Sequence, residues 1–139
     1  MIEPDDKLKS LFDEAVKVAR QQKHEYITLE HLLLTIINDP EIKGFCQKTE
    51  GVLYADLIAD LKSHIETKLN EIKTSEDVFP KRTAAIDRMV NRAFTHAIFA
   101  GHETVNSLHL LSSMYAEKNS HAVYYMLKNG LTKKIVIDY

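Results

Sequence analysis

One stretch of this chain returns at a constant interval: Ala15, Ala19, His24, Glu25, His31, Leu32 and Leu33 are matched by Ala93, Ala97, His102, Glu103, His109, Leu110 and Leu111. Positions 15 and 93, 24 and 102, and 33 and 111 all differ by 78. An ungapped offset over so many positions points to a duplicated unit, and duplicated units bury their apolar faces largely against each other. Function must then be sought on the surface of a tandem pair.

The apolar periodicity of each copy is helical. Leu8, Leu11, Phe12, Ala15, Val16 and Ala19 recur at i, i+3, i+4, i+7, with Lys7, Asp13, Lys17 and Arg20 on the opposite face. Asp5 or Asp6 can cap that helix. Tyr26-Ile27-Thr28 interrupts it, and Thr28 caps a second helix over Leu29 to Asn38, with Pro40 just beyond its end. A short helix near Glu41 to Lys48 ends at Gly51, and a longer one is expected from Tyr54 to Ile72. Residues 73–82 hold charge, turn formers and Pro80, and read as a linker. Thr83 then stands where Asp5 stood, followed by the stripe Ile86, Met89, Val90, Ala93, Phe94 and Ala97, and by helices at 108–115, 122–127 and 132–139. No hairpin signal occurs. The expectation is an all-α fold of two tandem pseudo-symmetric four-helix repeats, about eight helices, in a single domain over 1–139. The first repeat covers about 1–72, the linker about 73–82 and the second repeat about 83–139.

The charge balance narrows the partners. A net charge of -2 and a pI near 6.4 lack the basic footprint of a nucleic-acid binder. Residues 1–72 hold nine Lys/Arg against fourteen Asp/Glu, a balance of -5, and residues 73–139 hold nine against six, a balance of +3. Such a split can orient a protein partner of mixed charge. Tyr124 and Tyr125 are expected in a helix stripe beside Leu127 rather than as a stacking platform. The single Cys46 cannot form an internal disulfide and, among Ile42, Phe45 and Leu53, reads as a buried apolar residue. The N-terminus opens with Glu3, Asp5 and Asp6 without an apolar run, so a cytoplasmic location and no membrane association are expected.

The recurring histidines are the first candidates for chemistry. A zinc hydrolase of the HExxH type needs two His four residues apart on one helix, with a Glu between them. Here His24-Glu25 lies seven positions from His31, across a helix break. His24, His31, His102 and His109 are therefore read as structural, satisfying helix ends, with surface zinc uptake at His24 or His96 as the residual metal reading. There is no P-loop, no GxSxG and no dinucleotide fingerprint, and the chain holds four Gly in all. No catalytic residue, metal or cofactor is assigned.

The stretch His24-Glu25-Tyr26-Ile27-Thr28-Leu29-Glu30-His31-Leu32-Leu33-Leu34 closely resembles the Clp N-terminal repeat domain of AAA+ unfoldases, and is most similar to the ClpA branch. The resemblance continues through Asn38-Asp39-Pro40, Ala93 to Ala97 and Ala122 to Gly130, nearly the whole chain. It implies an eight-helix pseudo-dimer that sits on a hexameric motor and docks adaptors and substrates for delivery to the peptidase ClpP. For ClpA-like members it implies a ClpS-like adaptor, with Glu25, Glu30, Thr83, Arg88, Arg92 and His96 as the docking residues. Arg88 and Arg92 lie one turn apart and suit acidic adaptor groups; Glu25 and Glu30 suit basic ones. The ClpC branch, which reads phosphoarginine, keeps Glu in the Glu-His-Leu-Leu motif of both repeats, whereas here Glu30 is matched by Leu108. A one-sided adaptor surface fits that departure better than two phosphoarginine sites. Direct substrate or phosphoarginine-peptide binding, or a free-standing regulator, is the alternative.

Overall fold

The computed structural model describes residues 3–76 and 78–139, and among them eight helices and four two-residue strands carry the fold. In chain order these are β1 (Glu3–Pro4), α1 (Asp6–Gln21), β2 (Tyr26–Ile27), α2 (Leu29–Asn38), α3 (Pro40–Lys48), α4 (Tyr54–Thr67), β3 (Lys81–Arg82), α5 (Ala84–Phe99), β4 (Thr104–Val105), α6 (Ser107–Met114), α7 (His121–Lys128) and α8 (Lys133–Asp138). The architecture is all-α with tandem repeats, as the periodicity requires.

The helix starts obey side-chain chemistry. Asp5 accepts from the Leu8 amide at 2.7 Å, and Thr83 accepts from the Ile86 amide at 3.3 Å at the equivalent place in the second copy. Pro40, beyond the end of α2, also opens α3, where its missing N–H costs nothing. The helix expected to run to Ile72 instead stops at Thr67, and a 3-10 turn covers Asn70–Ile72. The Ile72 carbonyl there accepts the Glu25 amide at 2.6 Å, and Lys73 forms an antiparallel bridge with His24. Those long-range bonds tie the segment after α4 to the turn before β2.

The strands join the copies crosswise. β1 pairs in parallel with β4, Glu3 opposite Thr104 and Pro4 opposite Val105. β2 pairs in parallel with β3, Tyr26 opposite Lys81 and Ile27 opposite Arg82. Each ladder maps onto the other by the 78-residue offset, so the strand opening one repeat binds the strand in the middle of its copy. Residues expected to be linker therefore include a strand.

The core is continuous across both repeats. Leu29 to Ile37 are all buried, because α2 packs against α1, α3 and α4 and also against α6 and α7 of the second copy. A helix covered on every side loses its polar face. Ala15 and Ala19 on α1, and Ala93 and Ala97 on α5, are fully buried and keep those helices close to α2 and α6. Cys46 is buried, and burial pushes its thiol up to about 11. Gly130 has φ of +82°, and a Cβ there would lie 2.1 Å from the Gly51 carbonyl oxygen, so this contact between the copies admits only glycine. The expected stripe on α7 is corrected: Ala122, Val123 and Met126 face inward, while Tyr124 and Leu127 are more than half exposed. Adjacent residues such as Tyr124 and Tyr125 cannot share a helix face.

Candidate docking surface

The repeated histidines stand at the helix starts. Thr28 caps α2, and its amide donates to His31 Nδ1 at 2.9 Å; the Asn106 amide donates to His109 Nδ1 at 3.0 Å at the start of α6. Each His thus closes a reciprocal capping box from the third helical position. With Nδ1 of His31 accepting, its Nε2–H donates to His24 Nδ1, 2.8 Å away. Burial lowers the His31 imidazole to about 3, with the neighbouring His24 and His64 adding to the shift. Burial likewise lowers His24 and His109. His24 is 1% exposed, which overturns surface zinc uptake there. His96 is exposed.

The second repeat carries an outward-facing charged cluster on α5. Arg88 grips Glu117 with two nitrogens, Nη2 at 2.6 Å and Nε at 3.2 Å from Oε1. Arg92 reaches the other oxygen of Glu117 at 2.8 Å and donates to the Ser113 carbonyl at 3.0 Å. The hydrogen bond from Arg88 holds the Glu117 carboxyl below its ordinary range, and Arg92 adds to the effect. The cluster therefore sets two guanidinium groups against one carboxylate. Glu117 is sunk beneath it, whereas the Arg88 side chain remains 59% exposed. Beside it opens a concavity of about 540 Å³, lined by Ala85, Arg88 and the turn from Ala116 to Ser120.

The other expected residues divide. Glu25 and Thr83 are brought to opposite ends of one ladder: the Glu25 carbonyl accepts the Lys81 amide at 2.9 Å, and the Thr83 amide donates to Ile27 at 3.3 Å. His96 lies two turns beyond Arg88 on α5. Glu30 leaves the surface, being 7% exposed with its carboxylate 3.3 Å from His64 Nε2. The reading of Glu30 as a docking carboxylate is corrected accordingly, because the first turn of α2 faces α4. Glu117 escaped the sequence reading, since only the turn after α6 brings it under two arginines that precede it by 29 and 25 positions.

A second concavity, about 320 Å³, runs between α1 and α5 and is mostly apolar, with Leu8 and Phe12 from one repeat facing Val90 and Phe94 from the other. No helix among the described residues is long and apolar enough to cross a membrane.

The sequence profile of the Clp repeat (R) N-terminal domain family matches residues 3–129. A "ClpA homolog protein" of Fuscovulum blasticum is 31% identical over 126 residues, covering 90% of this chain but 16% of its own length. Among solved structures, the Hsp104 N-terminal domain from Candida albicans superposes with a TM-score of 0.78 at 14% identity, over 98% of this chain and 87% of that one. The N-terminal domain of the ClpV1 ATPase from Escherichia coli gives 0.72 at 18% identity, over 97% and 82%. That of the chaperone ClpD from Arabidopsis thaliana gives 0.69 at 14% identity, over 97% and 90%. At such identities the structural likenesses speak for the fold alone.

Proposed function

The chain belongs to the Clp repeat (R) N-terminal domain family, and on that premise we propose that it is the adaptor- and substrate-docking module of a ClpA-like AAA+ unfoldase. The partner is a ClpS-like adaptor, and docking serves delivery to the ATPase ring and onward to ClpP. The chain spans about a sixth of the ClpA homolog it matches, and the motor would lie in the remainder. The module itself works by affinity and tethering, which raise the local concentration of substrate near the ring.

The observation that carries this reading is the Arg88–Arg92–Glu117 cluster beside its concavity. Arg88 is 59% exposed and Glu117 keeps Arg92 at 2.8 Å, so Arg88 can turn from Glu117 to a partner carboxylate without leaving Glu117 unpaired. Bidentate guanidinium contacts add orientation to attraction. Thr83, His96 and Glu25 extend the surface along α5 and the β2–β3 ladder. Calorimetric titration with a ClpS-like adaptor tests the reading. Arg88→Glu is expected to weaken binding about tenfold or more, a loss of about 1.4 kcal/mol, in a domain that circular dichroism shows to remain folded. Absence of heat from folded protein at micromolar concentrations would sink it.

The apolar groove between α1 and α5 favours direct capture of an unfolded segment as the second reading. Peptide binding that survives Arg88→Glu but fails in Phe94→Asp would assign it to the groove.

A further inference from the structure

Glu30, His64 and His121 come from the first turn of α2, the last turn of α4 and the first position of α7, and each offers one ligand atom within 4.8 Å of the others. Nothing in their spacing announces this, since 34 and 57 positions separate them. Two observations set the trio apart from an ordinary polar contact. His64 is 3% exposed, and its Nε2 makes no hydrogen bond although a Glu30 oxygen lies 3.3 Å away. Its other nitrogen, Nδ1, lies 3.1 Å from the Tyr125 hydroxyl. If Nδ1–H donates to that oxygen, Nε2 presents a bare lone pair to a carboxylate, an arrangement that calls for a cation between them.

The spacing suits one. Ligand atoms bound at about 2.0–2.1 Å to a tetrahedral ion stand about 3.4 Å apart, and the Glu30 to His64 separation already has that value. The His121 ring stacks at 4.7 Å from the His64 ring and is exposed at the surface. With the three ligand atoms within 4.8 Å of one another, His121 has to turn toward the other two to complete the set. We propose that Glu30, His64 and His121 form a binding site for a late first-row divalent cation such as Zn²⁺. Its fourth position opens to solvent on the His121 side. Two imidazoles and one carboxylate make up a ligand set that holds Zn²⁺ with a fourth position open, and the Tyr125 hydroxyl orients the buried imidazole. The site spans both repeats, because Glu30 and His64 belong to the first and His121 to the second. Bound metal would therefore staple the copies together and raise stability by mass action.

The test uses the untagged 139-residue chain after chelator treatment, titrated with Zn²⁺ in a calorimeter and with Co²⁺ by visible absorption. One equivalent is expected to bind, with four-coordinate Co²⁺ bands and a raised melting temperature. His121→Ala, at an exposed position, and the near-isosteric Glu30→Gln should each weaken binding at least tenfold, whereas His96→Ala should leave it unchanged. Failure of the folded chain to take up metal, or uptake undiminished in His121→Ala and Glu30→Gln, or uptake abolished by His96→Ala, overturns the site. The other tautomer of His64, with Nδ1 accepting from the Tyr125 hydroxyl and Nε2–H turned to Glu30, would give the first of those outcomes.

Discussion

His31 shows how one residue can carry structure, electrostatics and pH response together. It closes the α2 capping box, it is fully buried, and it stays neutral down to about 3 against an ordinary value of 6.5. Once unfolded, the same imidazole takes up a proton near its ordinary value, so below it the unfolded state binds more protons than the folded one. Stability is complete above about pH 6.5 and falls as pH drops toward about 3. His24 and His109, also lowered, act in the same direction. The urea midpoint should fall between about pH 7 and about pH 5, where few carboxylates titrate. In His31→Gln the fall should shrink, because Gln at the third helical position still closes a capping box. Equal slopes for the two proteins would place the pH response elsewhere. At this scale the sequence was partly legible. The structural role of the repeated histidines followed from their wrong spacing for metal, whereas the pairing of Glu30 with His64 did not, since it depends on how α2 meets α4.

Elements were legible wherever a side chain in the same segment decides the boundary. Thr28 before α2 and Thr83 before α5 are both readable caps, and both accept the amide three residues on. The end of α4 was not, because the apolar stripe runs on through Leu69 and Ile72 while residues 72–74 bond to the distant segment 23–25, and the two-residue strands were too short to show any alternation. The caps of the two repeats also make a symmetric pair for measurement. Thr28→Ala and Asn106→Ala should each cost about 1 kcal/mol in denaturant unfolding. Because the two caps serve different helices, the double variant should lose the sum to within about 0.5 kcal/mol. A shortfall well beyond that would mean that the helix starts communicate through the shared core.

The whole molecule is held by exchange between its copies. β1 binds β4 and β2 binds β3, so each ladder needs a strand from both repeats. Asp60 on α4 receives Lys128 and Asn129 from the far end of α7, each at 3.0 Å, and Tyr139 reaches back to Glu41 at 3.1 Å and stacks on Phe45. Neither repeat can close its core alone. Residues 1–72 expressed by themselves should lack a cooperative melting transition by circular dichroism, and mixing them with residues 73–139 should restore one. A cooperative transition for the isolated first repeat would contradict this dependence. The docking face belongs to the same scale: Arg88 and Arg92 were visible as a helix face, but only the turn after α6 supplied Glu117 and the concavity beside them.

The sequence by itself determined the duplication, the helical class, the caps and most apolar stripes, because these depend on residues within a few positions of each other or on a repeat that simple comparison reveals. Tertiary structure alone decided that the copies exchange strands, that α2 is wrapped on all sides, that Glu30 turns inward and that Glu117 anchors two arginines. Each of those outcomes is a contact between residues tens of positions apart, where the chain's path through space, rather than any local preference, sets which groups meet.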